Sequence, residues 1–149
     1  DLDLNNDDVL RFKTIQRRPM PRVSEGTRLL ELGVQTAMDL SDGLLEDLGK
    51  LCKASGVGAM VYLDKIPVDS TLPSMFPRCW QDLALGGGED YELLFTASAS
   101  VMENALDALQ VRTTVIGEIV DSPKTVRVVD RTGKLVQVNS PGWEHFRGV

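Results

Sequence analysis

A chain of 149 residues with 42% hydrophobic and 26% charged side chains has the make-up of one globular domain, able to bury roughly two-thirds of its unfolded surface. That balance argues against a disordered chain or a membrane protein, and no apolar run approaches the roughly 20 residues that span a bilayer. A formal net charge of -6 and a pI near 4.8 argue against a nucleic-acid duplex as partner, which needs clustered Lys and Arg, and leave a metal-complexed nucleotide open.

The start, Asp1-Leu2-Asp3-Leu4-Asn5-Asn6-Asp7-Asp8, has neither an initiator Met nor the basic and apolar blocks of a signal peptide. The chain is therefore expected to begin inside a longer protein. Cys52 and Cys79 are far apart and accompanied by one histidine, His145, so neither a zinc site nor a disulfide framework is expected. Both are read as reduced structural thiols, with a cytoplasmic location, and Cys52 as a small core residue on a helix.

In chain order, Pro19 and Pro21 predict an extended, non-helical connector over 9–22. Ser24 is placed as the cap of a helix running to about residue 32, with Leu29, Leu30 and Leu32 on its buried side and Gly33 as its stop. A short strand over 36–40 follows. Leu44, Leu48, Leu51 and Cys52 fall at helical spacing, predicting a helix over 43–55 that Gly56 ends. A strand over 57–63, a proline-marked loop and a short helix over 81–85 lead to the glycines at 86–88. Beyond them come a buried strand over 91–96, a helix over 101–109 with Met102, Leu106 and Leu109 on one side, and a strand over 113–120. Last come strands over 125–129 and 135–138, joined by a turn at Asp130-Arg131-Thr132-Gly133-Lys134. This order predicts an α/β (α+β) layered domain with helices packed on a mixed β-sheet.

Two runs concentrate the chemistry. In Asp39-Leu40-Ser41-Asp42-Gly43-Leu44, carboxylates stand where a strand passes into a helix; magnesium takes oxygen ligands, commonly one or two carboxylates together with substrate phosphates. The first-turn amides after Gly43 would favour an anion, whereas the bland alternative makes Ser41 or Asp42 a helix cap. In Gly86-Gly87-Gly88-Glu89-Asp90, glycines let backbone approach a ligand closely. The adjacent negative charge requires a metal or a cationic substrate group; the alternative is a charged loop. Trp143 offers a flat face to a cationic ring, or packs the tail, and His145 is read as a packing residue. Lys13, Arg17, Arg18 and Arg22 face phosphates, a neighbouring domain or solvent.

Taken together, Arg18-Pro19-Met20-Pro21-Arg22, the 39–44 run, Ser55-Gly56-Val57-Gly58-Ala59, the stretch Gly87 through Thr96, Val115-Ile116-Gly117 and Gly142-Trp143-Glu144-His145-Phe146 resemble the C-terminal domain of the thiamine-monophosphate kinase family. That family is part of the aminoimidazole ribonucleotide synthetase-like superfamily. The resemblance implies that superfamily's C-terminal fold, with a partial likeness to a ferredoxin-like arrangement. It also implies a division into a connector, 1–22, from a missing N-terminal domain and a substrate- and nucleotide-binding domain, 23–149.

The implied reaction is direct in-line transfer of the ATP γ-phosphoryl group to thiamine monophosphate, giving thiamine diphosphate and ADP, assisted by Mg2+. By motif position, Asp39 and Asp42 would hold the metal, Ser41 would contact ATP, and Glu89 and Trp143 would contact thiamine monophosphate. No catalytic base is implied, because the attacking oxygen is already anionic phosphate. The family's N-terminal half supplies further acidic ligands, most phosphate contacts and a homodimer interface, so the chain alone is expected to be inactive. A non-catalytic ligand-binding module and another ATP-dependent synthetase of the superfamily are the alternatives.

Overall fold

The computed structural model describes residues 6–122 and 125–138. Its elements run α1 (Asn6–Arg17), α2 (Val23–Glu31), β1 (Thr36–Asp39), α3 (Leu44–Ser55), β2 (Gly58–Tyr62), a 3-10 turn (Leu63–Lys65), α4 (Leu72–Met75), α5 (Trp80–Gly86), β3 (Leu93–Thr96), α6 (Ala99–Ala108), β4 (Gly117–Val120) and β5 (Val126–Val129). Among the described residues no helix is long and apolar enough to cross a membrane.

The strands form two sheets. β1 and β3 pair antiparallel, with Thr36 opposite Thr96 and Asp39 opposite Leu93. β2 is central in the other sheet, antiparallel to β4 and parallel to β5. This is the mixed helix-and-sheet layering expected from the element order.

Alternation along β3 divides the core. Leu94 joins a cluster built from Leu44, Leu45, Leu48 and Cys52 of α3, Ala59 and Val61 of β2, Leu85 and Val128. Its neighbours Leu93 and Phe95 pack on the opposite side against Leu29, Val34 and Ala105, as the two-residue period of a strand requires. The β1–β3 ribbon thus lies between α3 on one side and α2 with α6 on the other. Each fully buried Leu in such a core contributes about 1.5–3 kcal/mol. Cys52 is in this core, as read from its helical spacing, whereas Cys79 is exposed, which does not fit a structural thiol.

Several expectations need correction. The stretch 9–22 is not extended throughout, since α1 occupies 6–17. A proline restricts only the residue before it and its own turn, so Pro19 ends the helix without preventing it. Asp7 and Asp8 in the first turn and Arg17 in the last suit the helix dipole, and Arg11 pairs with Asp69. α2 is capped by Arg22 rather than Ser24, without a side-chain cap bond. Leu30 is 71% exposed and Leu106 is also on the surface, because each stands one residue, about 100° of helix, from the buried Leu29 or Ala105.

The last strands are shorter than predicted. β4 begins only at Gly117, and the expected strand over 135–138 is reduced to a bridge between Leu135 and Val129. The turn before it forms as read, with Asp130 Oδ1 accepting from the amides of Thr132 (2.8 Å) and Lys134 (3.1 Å). Bonds from Thr132, with a smaller part from Lys134, hold the Asp130 carboxyl below its usual range.

Candidate functional site

The two chemistry-bearing runs are joined through their backbones. The Glu89 amide donates to the Ser41 carbonyl at 2.9 Å, the Tyr91 amide to the Leu40 carbonyl at 2.8 Å, and the Leu40 amide to the Glu92 carbonyl at 2.9 Å. Contact is so close at Gly88 that a Cβ there would lie 2.7 Å from the Ser41 carbonyl oxygen. The strand pairing that begins at Asp39 and Leu93 therefore continues outward as a bonded pair of loops.

On the 39–44 side, Asp39 closes β1 and is exposed. Neither Ser41 nor Asp42 caps α3: the cap is Gly43, at φ 113 and ψ 152, with no side-chain cap bond. The capping interaction runs backwards instead. Asp47 Oδ2, on the first turn of the helix, accepts the amides of Ser41 at 3.0 Å and Asp42 at 2.9 Å. Lys50 donates to Asp47 Oδ1 at 2.9 Å and also to the Asp42 carboxylate. These bonds, led by the one to Asp42, push the Lys50 ammonium pKa upward.

On the 86–92 side, Glu89 and Tyr91 adopt left-handed backbone, at φ 70 and φ 52, a conformation costing non-glycine residues of order 1–2 kcal/mol each. Glu89 is exposed. Glu92 is gripped by Arg22, whose Nε and Nη2 each donate at 2.7 Å, a bidentate arrangement. This ties the chain just before α2 to the second run, while Lys13, Arg17 and Arg18 are exposed to solvent.

Asp90 has an exposed surface, yet it lines a largely apolar cleft of about 860 Å3 that also takes in Leu40, Leu44, Phe95 and Glu92. Loss of water on the cleft side, and then repulsion from Glu92, raise its carboxyl pKa. A carboxyl whose folded pKa is raised gives its full stability below the unfolded value and loses it as pH rises through the folded one. Asp90→Asn is therefore expected to stabilise the protein at pH 7, the gain vanishing in acid. Urea unfolding at both pH values checks this, and destabilisation at pH 7 would refute it.

Among the described residues no group of three or more His, Cys, Asp or Glu side chains is disposed to hold a metal ion. Exposed Asp39 and part-exposed Asp42 nonetheless supply hard oxygen donors in the number that magnesium takes from a protein when phosphates and waters complete its shell. Trp143 lies outside the described residues. Asp47, Lys50 and Glu92 are not singled out by composition or spacing. The one signal for Asp47 is its position: an acidic residue next to Leu48 and three after Leu44, on the apolar face of α3.

Residues 13–130 match the family model for AIR synthase related protein, C-terminal domain. Thiamine-monophosphate kinase of Escherichia coli strain K12 is 38% identical over 133 residues, covering 87% of this chain and 40% of its own length. The crystal structure of thiamine-monophosphate kinase from Stenotrophomonas maltophilia K279a aligns with a TM-score of 0.68 at 39% identity, over 76% of this chain and 37% of that one. AaThiL complexed with AMPPCP and TMP aligns with a TM-score of 0.76 at 29% identity, over 97% of this chain and 44% of that one. The chain spans about two-fifths of the length of the curated relatives it matches. With the family model covering most of its length, the chain belongs to the AIR synthase related proteins, as a C-terminal domain of that family.

Proposed function

We propose that this chain is the C-terminal part of a cytoplasmic thiamine-monophosphate kinase, which moves the ATP γ-phosphoryl group to thiamine monophosphate and releases thiamine diphosphate and ADP. The observation that carries the reading is the backbone bonding of Glu89 to Ser41 and of Tyr91 to Leu40, which sets a candidate metal and nucleotide loop against a candidate substrate loop. Similarity to AaThiL, solved with AMPPCP and TMP, supports both co-substrates.

In this reading Asp39 and Asp42 hold Mg2+, which when bound neutralises phosphate charge. Ser41 contacts ATP, and Glu89 and Trp143 contact thiamine monophosphate. The exposed Glu89 carboxylate suits a cationic ring better than bare phosphate, which it would repel. The protein's work is to position and screen: phosphoryl transfer to an existing phosphate oxygen needs alignment and charge neutralisation more than a base. Residues 1–22 serve as the connector and 23–149 as the substrate- and nucleotide-binding domain. An N-terminal domain supplies the remaining ligands and phosphate contacts and the interface of a homodimer.

The test is formation of thiamine diphosphate from ATP, Mg2+ and thiamine monophosphate, by this chain alone and joined to its native upstream half. Product from the joined protein only is the expected result. A folded, ATP-binding joined protein that makes none would replace this reading with a sister synthetase or a binding module, and turnover by the chain alone would refute the division of labour.

A further inference from the structure

Asp47 has no part in the reading above, yet it is only 1% exposed and is the one buried charged residue among those described. Its two oxygens face different tasks. Oδ2 takes the Ser41 and Asp42 amides, and Oδ1 takes Lys50, whose ammonium also reaches the Asp42 carboxylate. A continuous set of bonds thus runs from the core to a candidate metal ligand. The Lys50 side chain is 44% exposed and can reach water, whereas Asp47 has no such escape and depends on its two amide donors whenever Lys50 leaves.

We propose that Asp47 and Lys50 are positioning residues for the 39–42 loop: Asp47 fixes its backbone, while Lys50 acts as a resident cation on Asp42 that gives way when a divalent ion binds. This rests on the assignment of Asp39 and Asp42 as ligands. Departure of Lys50 leaves the two amide bonds to Asp47 Oδ2 intact, so the loop keeps its shape while Asp42 is released. With Lys50 in place, the charges of Asp42 and Asp47 are partly offset, and the folded chain tolerates adjacent carboxylates without a metal.

The test is an Mn2+ titration of the 15N-labelled chain, followed by paramagnetic broadening of individual amide signals, with Mg2+ added last to reverse it. Broadening centred on 39–42 is expected. Lys50→Gln should reach half-broadening at about three- to tenfold lower Mn2+, in a chain that still folds but unfolds at a lower temperature because the buried Asp47 loses its cation. Asp47→Asn keeps an acceptor for the amides but loses the charge, and should need several-fold more Mn2+. If wild type and Lys50→Gln broaden at the same concentration, the role of Lys50 is refuted while the ligand assignment stands. If neither broadens at 39–42 up to millimolar Mn2+, in this chain or in the chain joined to its native upstream half, the ligand assignment fails and the proposed role of Lys50 with it.

Discussion

Asp42→Asn, placed in this chain joined to its native upstream half, is expected to lower thiamine diphosphate formation by about 10²- to 10³-fold, the scale on which removal of one preorganised electrostatic group acts. Asparagine keeps the shape and one oxygen but removes the negative charge that would hold magnesium against the phosphates. The fold should hardly notice. The fold loses the ion pair to a Lys50 side chain that is 44% exposed, worth about 1 kcal/mol or less, and Lys50 retains Asp47. The unfolding temperature should therefore move by only a few degrees while the rate collapses. An unchanged rate at saturating magnesium would remove Asp42 from the site; a collapse in both rate and stability would make its role structural.

The largest effect on stability is expected at Gly43. Its φ of 113 and ψ of 152 lie in a region essentially reserved for glycine, and a Cβ would sit 2.8 Å from the Gly86 carbonyl oxygen and 2.9 Å from its carbon. Strain and overpacking of this kind cost about 1–3 kcal/mol each, so Gly43→Ala should lower the unfolding free energy by about 4 kcal/mol. The control is Gly49, within the helix that Gly43 caps. A Cβ at Gly49 would meet nothing within 4 Å, and Gly49→Ala should raise stability by about 0.5–1 kcal/mol through helix propensity. Urea unfolding of both variants is the measurement. Equal effects would mean that Gly43 is not locked between its own backbone torsions and Gly86.

The readable parts of this fold are those where spacing and punctuation agree. α3, with Leu44, Leu48, Leu51 and Cys52 on one face and Gly56 at φ 70 as its stop, follows from the helical period and one left-handed residue. The Asp130–Lys134 turn follows likewise from its aspartate and glycine. α1 is hidden by the prolines near its end, whose reach along the chain is shorter than the extended connector supposes. Leu30 and Leu106 mislead because a hydrophobic residue beside a buried one is still a third of a turn away. At the site, the 39–44 and 86–90 runs announce themselves by composition. What no spacing can reveal is their mutual bonding, since the contact from Glu89 to Ser41 depends on how β1 finds β3. Asp47 is hidden for another reason: its partners on Oδ2 are backbone amides, which leave no mark in a sequence.

The pairing of β1 with β3 also decides when the site can exist. Its two halves are separated by a long excursion through α3, β2 and α5, so bringing them together carries the entropy of closing a long loop, and contacts of such sequence separation form slowly. A peptide spanning 36–56 would contain every residue of the first motif, yet Ser41 and Leu40 would have no Glu89 or Tyr91 amide to meet. The bonded pair of loops is thus a property of the finished chain topology: it can appear only once β1 has found β3, and it should be lost when the β1–β3 ribbon opens.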